Sequence, residues 1–150
     1  MTAQSEAPVA DETFHRIYAE VLQFYARTMQ LLDAGRAADW AESFTEDATF
    51  AMPSRPQPVR GRDELTAVAR EGAAGLAKAG EVHRHWHSMV SVEPGSDATL
   101  AVRCYAQVVA TKLGGSSRLH RICVCEDVLV RGGDGRLRVR SRRVTRDDLA

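Results

Sequence analysis

Residues 63–92, DELTAVAREGAAGLAKAGEVHRHWHSMVSV, contain the change of period that decides the fold. Up to residue 79 the apolar side chains Leu65, Val68, Ala69, Leu76 and Ala77 gather on or near one face at helical spacing, and Gly80 ends the run. From His83 the period is two: His83, His85 and His87 alternate with Arg84 and Trp86, as a strand requires. Residues 83–92, 99–111, 120–130 and 137–144 therefore read as four strands, separated by the turn sequences PGSD (94–97), GGSS (114–117) and GGDG (132–135).

Upstream, Phe14, Ile17, Tyr18, Val21, Leu22, Tyr25, Met29 and Leu32 recur at steps of three and four. They predict an amphipathic helix of about 20 residues, with Asp11 as N-cap and Ala34-Gly35 as its stop. A short helix over 37–44 turns Trp40 and Phe44 inward, and a short strand over 48–52 is closed by Pro53, Pro56 and Pro58. Residues 1–10 lack periodicity and bulk and read as a tail, residues 11–146 as one domain, and residues 147–150 as a loose end. Three helices followed by an antiparallel meander make an α+β domain. The helices must cover one face of a curved, mostly antiparallel sheet.

Composition narrows the function classes. The chain has 150 residues, 44% of them apolar, with 20 Lys+Arg against 20 Asp+Glu. That length supports one core and a pocket within it. A net charge of zero supplies no global field for nucleic acid, and the arginines of the last strand have no aromatic pair between them to stack bases. No apolar run reaches the roughly 20 residues of a membrane span, and no secretion signal is seen, so the expected location is the cytoplasm. Three cysteines, Cys104, Cys123 and Cys125, are an odd count that argues for reduced thiols packed as small apolar groups.

A bent sheet wrapped over a long helix encloses a cone, and polar side chains aimed into it carry the chemistry. Tyr25, Met29 and Asp33 are spaced by four, so a carboxylate ends an otherwise apolar stripe. Its position at a helix C-terminus opposes the macrodipole, which favours a task over stability. The three alternating histidines share one strand face at about 6.6 Å per step, too far apart for one ion to be held by all of them. His85 and His87 joined by His120 or Glu126 would be the geometrically possible metal set. An imidazole beside a buried carboxylate would instead move protons. The strand over 120–130 has two mixed faces, which fits helices on one side and a second copy of the chain on the other. In the last strand, alternation places Arg138, Arg140 and Arg142 opposite Leu137 and Val139, on a solvated or interface face.

The order of elements and several phrases carry a resemblance: Tyr25-x7-Asp33-Ala-Gly-Arg-x3-Trp40-x3-Phe44-Thr-Glu-Asp47-Ala-Thr-Phe50, then Val59-Arg-Gly61-Arg, His83-Arg-His85, and Asp127-Val-Leu-Val-Arg before the basic last strand. Over residues 12–146 the chain resembles the SnoaL-like branch of the nuclear transport factor 2-like superfamily, which implies a cone-shaped α+β barrel with the N-terminal helices packed against a strongly curved, mostly antiparallel sheet. That fold hosts polyketide cyclases, scytalone dehydratases, isomerases, ring-hydroxylating dioxygenase small subunits and plain binding domains. The resemblance implies a pocket pair, Asp33 with His85, at the positions where the dehydratases keep an aspartate and a histidine. Ala106-Gln-Val-Val-Ala110 stands where a second pocket histidine is expected and Met52 where a tyrosine is expected, which leaves His120 or Tyr105 as substitutes.

The resulting expectation is an acid/base enzyme without cofactor or metal. It would act on a hydrophobic cyclic or polyketide-like intermediate by proton abstraction beside a carbonyl, leading to dehydration, cyclisation or isomerisation. His85 would transfer the proton, Asp33 would orient it, and Tyr25 would donate to a substrate oxygen. Trp40, Phe50, Met52, Met89, Tyr105, His120 and Glu126 would bind the substrate, and the chain would form a homodimer through the sheet. The alternative is a non-catalytic oxygenase small subunit or a ligand-binding domain of the same fold.

Overall fold

In the computed structural model, which describes residues 12–149, Gly80 stands at a helix-to-strand junction: α3 (Gly61–Ala79) ends there and β3 (Glu81–Pro94) begins. The meander continues through β4 (Leu100–Lys112), β5 (Ser117–Arg131) and β6 (Leu137–Arg146), each antiparallel to its predecessor. Before it lie α1 (Glu12–Asp33), α2 (Ala37–Ala41), β1 (Phe44–Ala51) and the two-residue β2 (Val59–Arg60). The sheet order is β2-β1-β6-β5-β4-β3, with β1 parallel to β6. This is the expected α+β architecture.

Several details differ from the expectation, and most trace to backbone hydrogen bonding. The second helix stops at Ala41, because Ser43 already accepts the Val139 N–H at 2.8 Å and the chain is captured by β6. Phe44 therefore opens β1 rather than closing a helix. Residues 147–149 form a single 3-10 turn tied by an Arg146–Asp148 ion pair, where a loose end was expected. The tail over 1–10 and the Asp11 cap lie outside the described residues.

Helix α1 lays Val21, Tyr25, Thr28 and Met29 into the core, and its exit is a Schellman turn. Gly35 adopts φ +73° while its N–H donates to Leu32 O and the Arg36 N–H donates to Leu31 O. The turn fixes Asp33 as the last helical residue, close to the inner face of β3. The core beneath is built from Val21, Tyr25, Phe44, Leu65, Leu129 and Val139, all essentially without solvent contact.

Register shifts in β3, β5 and β6 decide which of their side chains face inward. In β3 the pairing with β4 slips between Ser88 and Ser91, so the inward residues are His83, His85 and His87 before the slip and Val90 and Val92 after it. In β5 the partner of Val108 is Arg121 and that of Val109 is Leu119, which leaves His120 unpaired. In β6, Leu129 pairs with Val139 and Val128 with Ser141, so Arg140 is the extra residue and the face alternation inverts after it.

Candidate active site

The inner face of the sheet, the C-terminal end of α1 and one side of α3 enclose a cavity of about 690 Å³, within the range of small-molecule sites. Its walls are mostly apolar: Met29, Trp40, Phe50, Met52, Val68 and Val108 are among them. Trp40 contributes a wall and no polar contact, because its Nε1 is buried and has no hydrogen-bond partner among the described residues.

Two polar clusters meet this cavity. The first is Asp33 with His85. Asp33 Oδ1 lies 2.5 Å from His85 Nδ1, and Asp33 Oδ2 accepts the backbone N–H of the same histidine at 3.0 Å. The two contacts clamp one residue at ring and main chain, and both residues line the cavity. With Nδ1 engaged by the carboxylate, Nε2 is the ring nitrogen available to a ligand. His83 lies one alternation away with its ring centroid 5.0 Å from that of His120. Burial, and then the neighbouring His120, His85 and Arg121, hold the His83 imidazole below its ordinary pKa, so it favours the neutral form.

The second cluster surrounds Asp127 on β5. Arg142 donates from Nε to Oδ1 at 2.9 Å and from Nη2 to Oδ2 at 2.7 Å, and Tyr25 donates its hydroxyl to Oδ2 at 2.8 Å. The Cys125 thiol adds a bond to Oδ1 at 3.3 Å. Burial pushes the Asp127 carboxyl up, but the Arg142 charge and the donated hydrogen bonds outweigh it and hold the group below the usual carboxylate range. The guanidinium lies over the rings of Phe44 and Phe50 at 5.3 and 5.7 Å from their centroids. Beside this pair, Cys104 Sγ and His87 Nδ1 are 3.6 Å apart. A hydrogen bond from Cys125 lowers the Cys104 thiol below its ordinary pKa, His87 adding to the effect, while the same bond and burial raise Cys125.

The expected site residues divide accordingly. Asp33, His85, Trp40, Phe50 and Met52 line one cavity. Tyr25 is buried beneath it with its hydroxyl committed to Asp127, so it has no free donor for a substrate oxygen. Met89 sits at the β3 register slip with φ +52° and is largely exposed. Tyr105 lies on the outer face between the inward Cys104 and Ala106. Glu126 likewise points outward, where Arg103 and Arg143 pair with it, because Cys125 and Asp127 take the inward positions of β5. His120 is exposed and touches His83 without lining the cavity. The expected metal set of His85, His87 and His120 or Glu126 is therefore not assembled. Arg142, expected on a solvated face, is buried against Asp127, because the extra residue Arg140 inverts the alternation of β6. Arg142, Asp127 and the thiol pair were missed as site residues; the directly opposed positions of Cys104 and Cys125 on β4 and β5 are visible only once the register is known.

The family model described as a SnoaL-like domain matches residues 15–143. Among solved structures, Aln2 from a Streptomyces species is 36% identical over 89% of this chain and 93% of its own, with a TM-score of 0.82. ActVI-ORFA from Streptomyces coelicolor is 36% identical over 88% of this chain and 98% of its own, with a TM-score of 0.80. A protein from Catenulispora acidiphila, solved in complex with S-DNPA, is 34% identical over 90% of this chain and 96% of its own, with a TM-score of 0.78. A search among curated proteins gave no match. On the family match and these likenesses, the chain belongs to the SnoaL-like domain family.

Proposed function

We propose that the protein is an acid/base enzyme that removes a proton beside a carbonyl of a hydrophobic cyclic or polyketide-like compound, working with no cofactor and leading to dehydration, cyclisation or isomerisation. The observation that carries this reading is the clamp of Asp33 on both the ring and the main chain of His85 in the wall of an apolar cavity. Asp33 directs the ring proton to Nδ1 and stabilises the imidazolium that forms when Nε2 takes a proton from carbon. His85 then returns the proton to a leaving hydroxyl or to another carbon of the same substrate. A substrate filling the mostly apolar cavity would displace water from the pair, which strengthens the ion pair formed at that moment. A relative 34% identical to the chain is solved with S-DNPA bound, which supports a small-molecule ligand here.

The proposal includes a cytoplasmic homodimer joined through the outer sheet face. That face exposes Trp86 (59%), Tyr105 (48%) and Ile122 (42%) on neighbouring strands, an apolar surface suited to self-pairing. Among the described residues no helix is long and apolar enough to cross a membrane. Light scattering should return twice the chain mass.

The chemical test is hydrogen–deuterium exchange at the carbon beside the carbonyl of a bicyclic aryl ketone such as 1-tetralone, followed by NMR. The protein should accelerate exchange, and His85→Ala and Asp33→Asn should each reduce that acceleration by about 10²–10⁴-fold. No acceleration by the wild type would point to a binding domain or subunit, and equal acceleration in all three proteins would remove His85 and Asp33 from the reaction.

A further inference from the structure

His87, Cys104 and Cys125 stand on three consecutive strands, β3, β4 and β5, and present one imidazole and two thiols on the inner face of the sheet. Their donor atoms lie within 4.8 Å of one another, and the two thiols are directly opposed across the β4–β5 ladder. The proposed proton transfer uses none of the three. We propose that they form a binding site for a thiophilic d¹⁰ cation, Zn²⁺ in the first place, set in the cavity wall.

The dimensions fit. Bonds of about 2.3 Å to sulfur and about 2.0 Å to nitrogen at tetrahedral angles put donor atoms roughly 3.5–3.8 Å apart. The Cys104–His87 separation is already 3.6 Å. The remaining separations, at most 4.8 Å, close by small side-chain rotations. The chemistry fits as well, since two thiolates and an imidazole select zinc over the hard cations that prefer oxygen. On binding, Zn²⁺ replaces the thiol protons, which leave to solvent, and His87 coordinates through the Nδ1 that faces Cys104. Two thiolates and one dication sum to no net charge, which suits the surrounding apolar wall.

The set also leaves one tetrahedral position unfilled. Asp127 touches the cluster, accepting the Cys125 thiol at 3.3 Å, but its two oxygens are occupied by Arg142 and Tyr25. His87 and Cys125 line the cavity and Cys104 does not, so the ion would sit at the cavity surface with a position for a water or a ligand oxygen. His87 is two residues along β3 from His85, so the ion would share the cavity with the proposed proton-transfer pair without using its residues.

The test is titration of reduced, chelator-stripped protein with Co²⁺ as a spectroscopic stand-in, followed by displacement with Zn²⁺. Binding of one Co²⁺ per chain with a thiolate-to-cobalt charge-transfer band is expected, and stoichiometric Zn²⁺ should abolish that band. Cys104→Ala should remove the band, His87→Gln should weaken binding by at least about 10-fold, and Cys123→Ala and His85→Ala should leave it intact. If Cys104→Ala does not fold, Cys125→Ser serves in its place. Substoichiometric uptake, uptake without the band, or a band that survives both the cysteine variant and His87→Gln would overturn the site. Because His85→Ala keeps the band under this proposal, its failure and a failure of the proton-transfer reading give different results.

Discussion

Asp33 and Asp127 each hold a cation-capable side chain, His85 and Arg142, that lines the same cavity, but their surroundings separate their uses. Asp127 and Arg142 expose 0% and 4% of their side chains, and every oxygen of the carboxylate has protein donors. Asp33 and His85 expose 9% and 26%, and the partner is an imidazole whose second ring nitrogen is not engaged by the carboxylate. Arg142 keeps its charge throughout: burial would lower its pKa, but Asp127 more than offsets this and raises it well above the ordinary value. A pair that cannot titrate, buried and saturated with bonds, holds β5 to β6 and α1. A pair at the cavity wall, with the second imidazole nitrogen left to a ligand, is equipped for chemistry.

The largest effect expected from breaking this contrast is Arg142→Met. It leaves Asp127 buried without its counter-charge and should cost about 3–5 kcal/mol of unfolding free energy by urea denaturation. Adding Asp127→Leu should recover most of that loss, since a buried pair replaced by packed apolar groups is often neutral. The pH dependence follows the same logic. Asp127 has a depressed folded-state pKa, so its stabilisation is fully present above the unfolded value of about 3.9 and is lost as pH falls through the lower folded value. The wild type should therefore lose stability on acidification below about pH 4 more steeply than the double variant. Matching acid limbs in the two proteins would show that Asp127 is not the group responsible.

Tyr25→Phe comes next. It removes one neutral donor to the buried carboxylate while keeping the ring that packs 4.9 Å from His87, and should cost about 1.5–3 kcal/mol. Proton transfer should survive, because the hydroxyl is spent on Asp127 and does not reach the substrate. A loss of exchange activity in a folded Tyr25→Phe protein would return this residue to the catalytic group.

The errors of sequence reading cluster where a strand contains an extra residue. Period-two alternation places His83, His85 and His87 on one face, and they share it, because the first half of β3 is regular. The same alternation carried one step too far puts Met89 in the cavity, since a slip between Ser88 and Ser91 is not encoded in apolar periodicity. Arg142 is misplaced for the same reason, with Arg140 as the extra residue. Asp127 and Glu126 are adjacent acids on a strand with two mixed faces, and only the cross-strand register, Asp127 opposite Arg142, distinguishes them. The approach of Asp33 to His85, 52 residues apart, comes from the resemblance and not from any local pattern.

Asp33→Asn should have a smaller effect on stability than either change at the second cluster, about 1 kcal/mol, because asparagine still accepts the His85 backbone N–H. Its effect on exchange should be disproportionately large, since the amide cannot stabilise an imidazolium as the carboxylate does. A large stability loss with little loss of exchange would assign Asp33 the scaffolding role argued for Asp127 and remove the contrast.

The smallest effect is expected at Glu126→Gln, one residue from Asp127 but on the opposite face. Glu126 is partly exposed and pairs with Arg103 across β4 and Arg143 across β6. Those arginines hold the carboxyl below its ordinary pKa, yet solvent screens the pairs, and exposed ion pairs contribute about 0–1 kcal/mol. The variant should unfold within that margin of wild type, exchange at the wild-type rate, and lose its small difference as salt is raised. A change in exchange rate at this position would require Glu126 to reach the cavity, which the inward placement of Cys125 and Asp127 on either side prevents. Face, rather than distance along the chain, therefore sets the size of every effect in this strand.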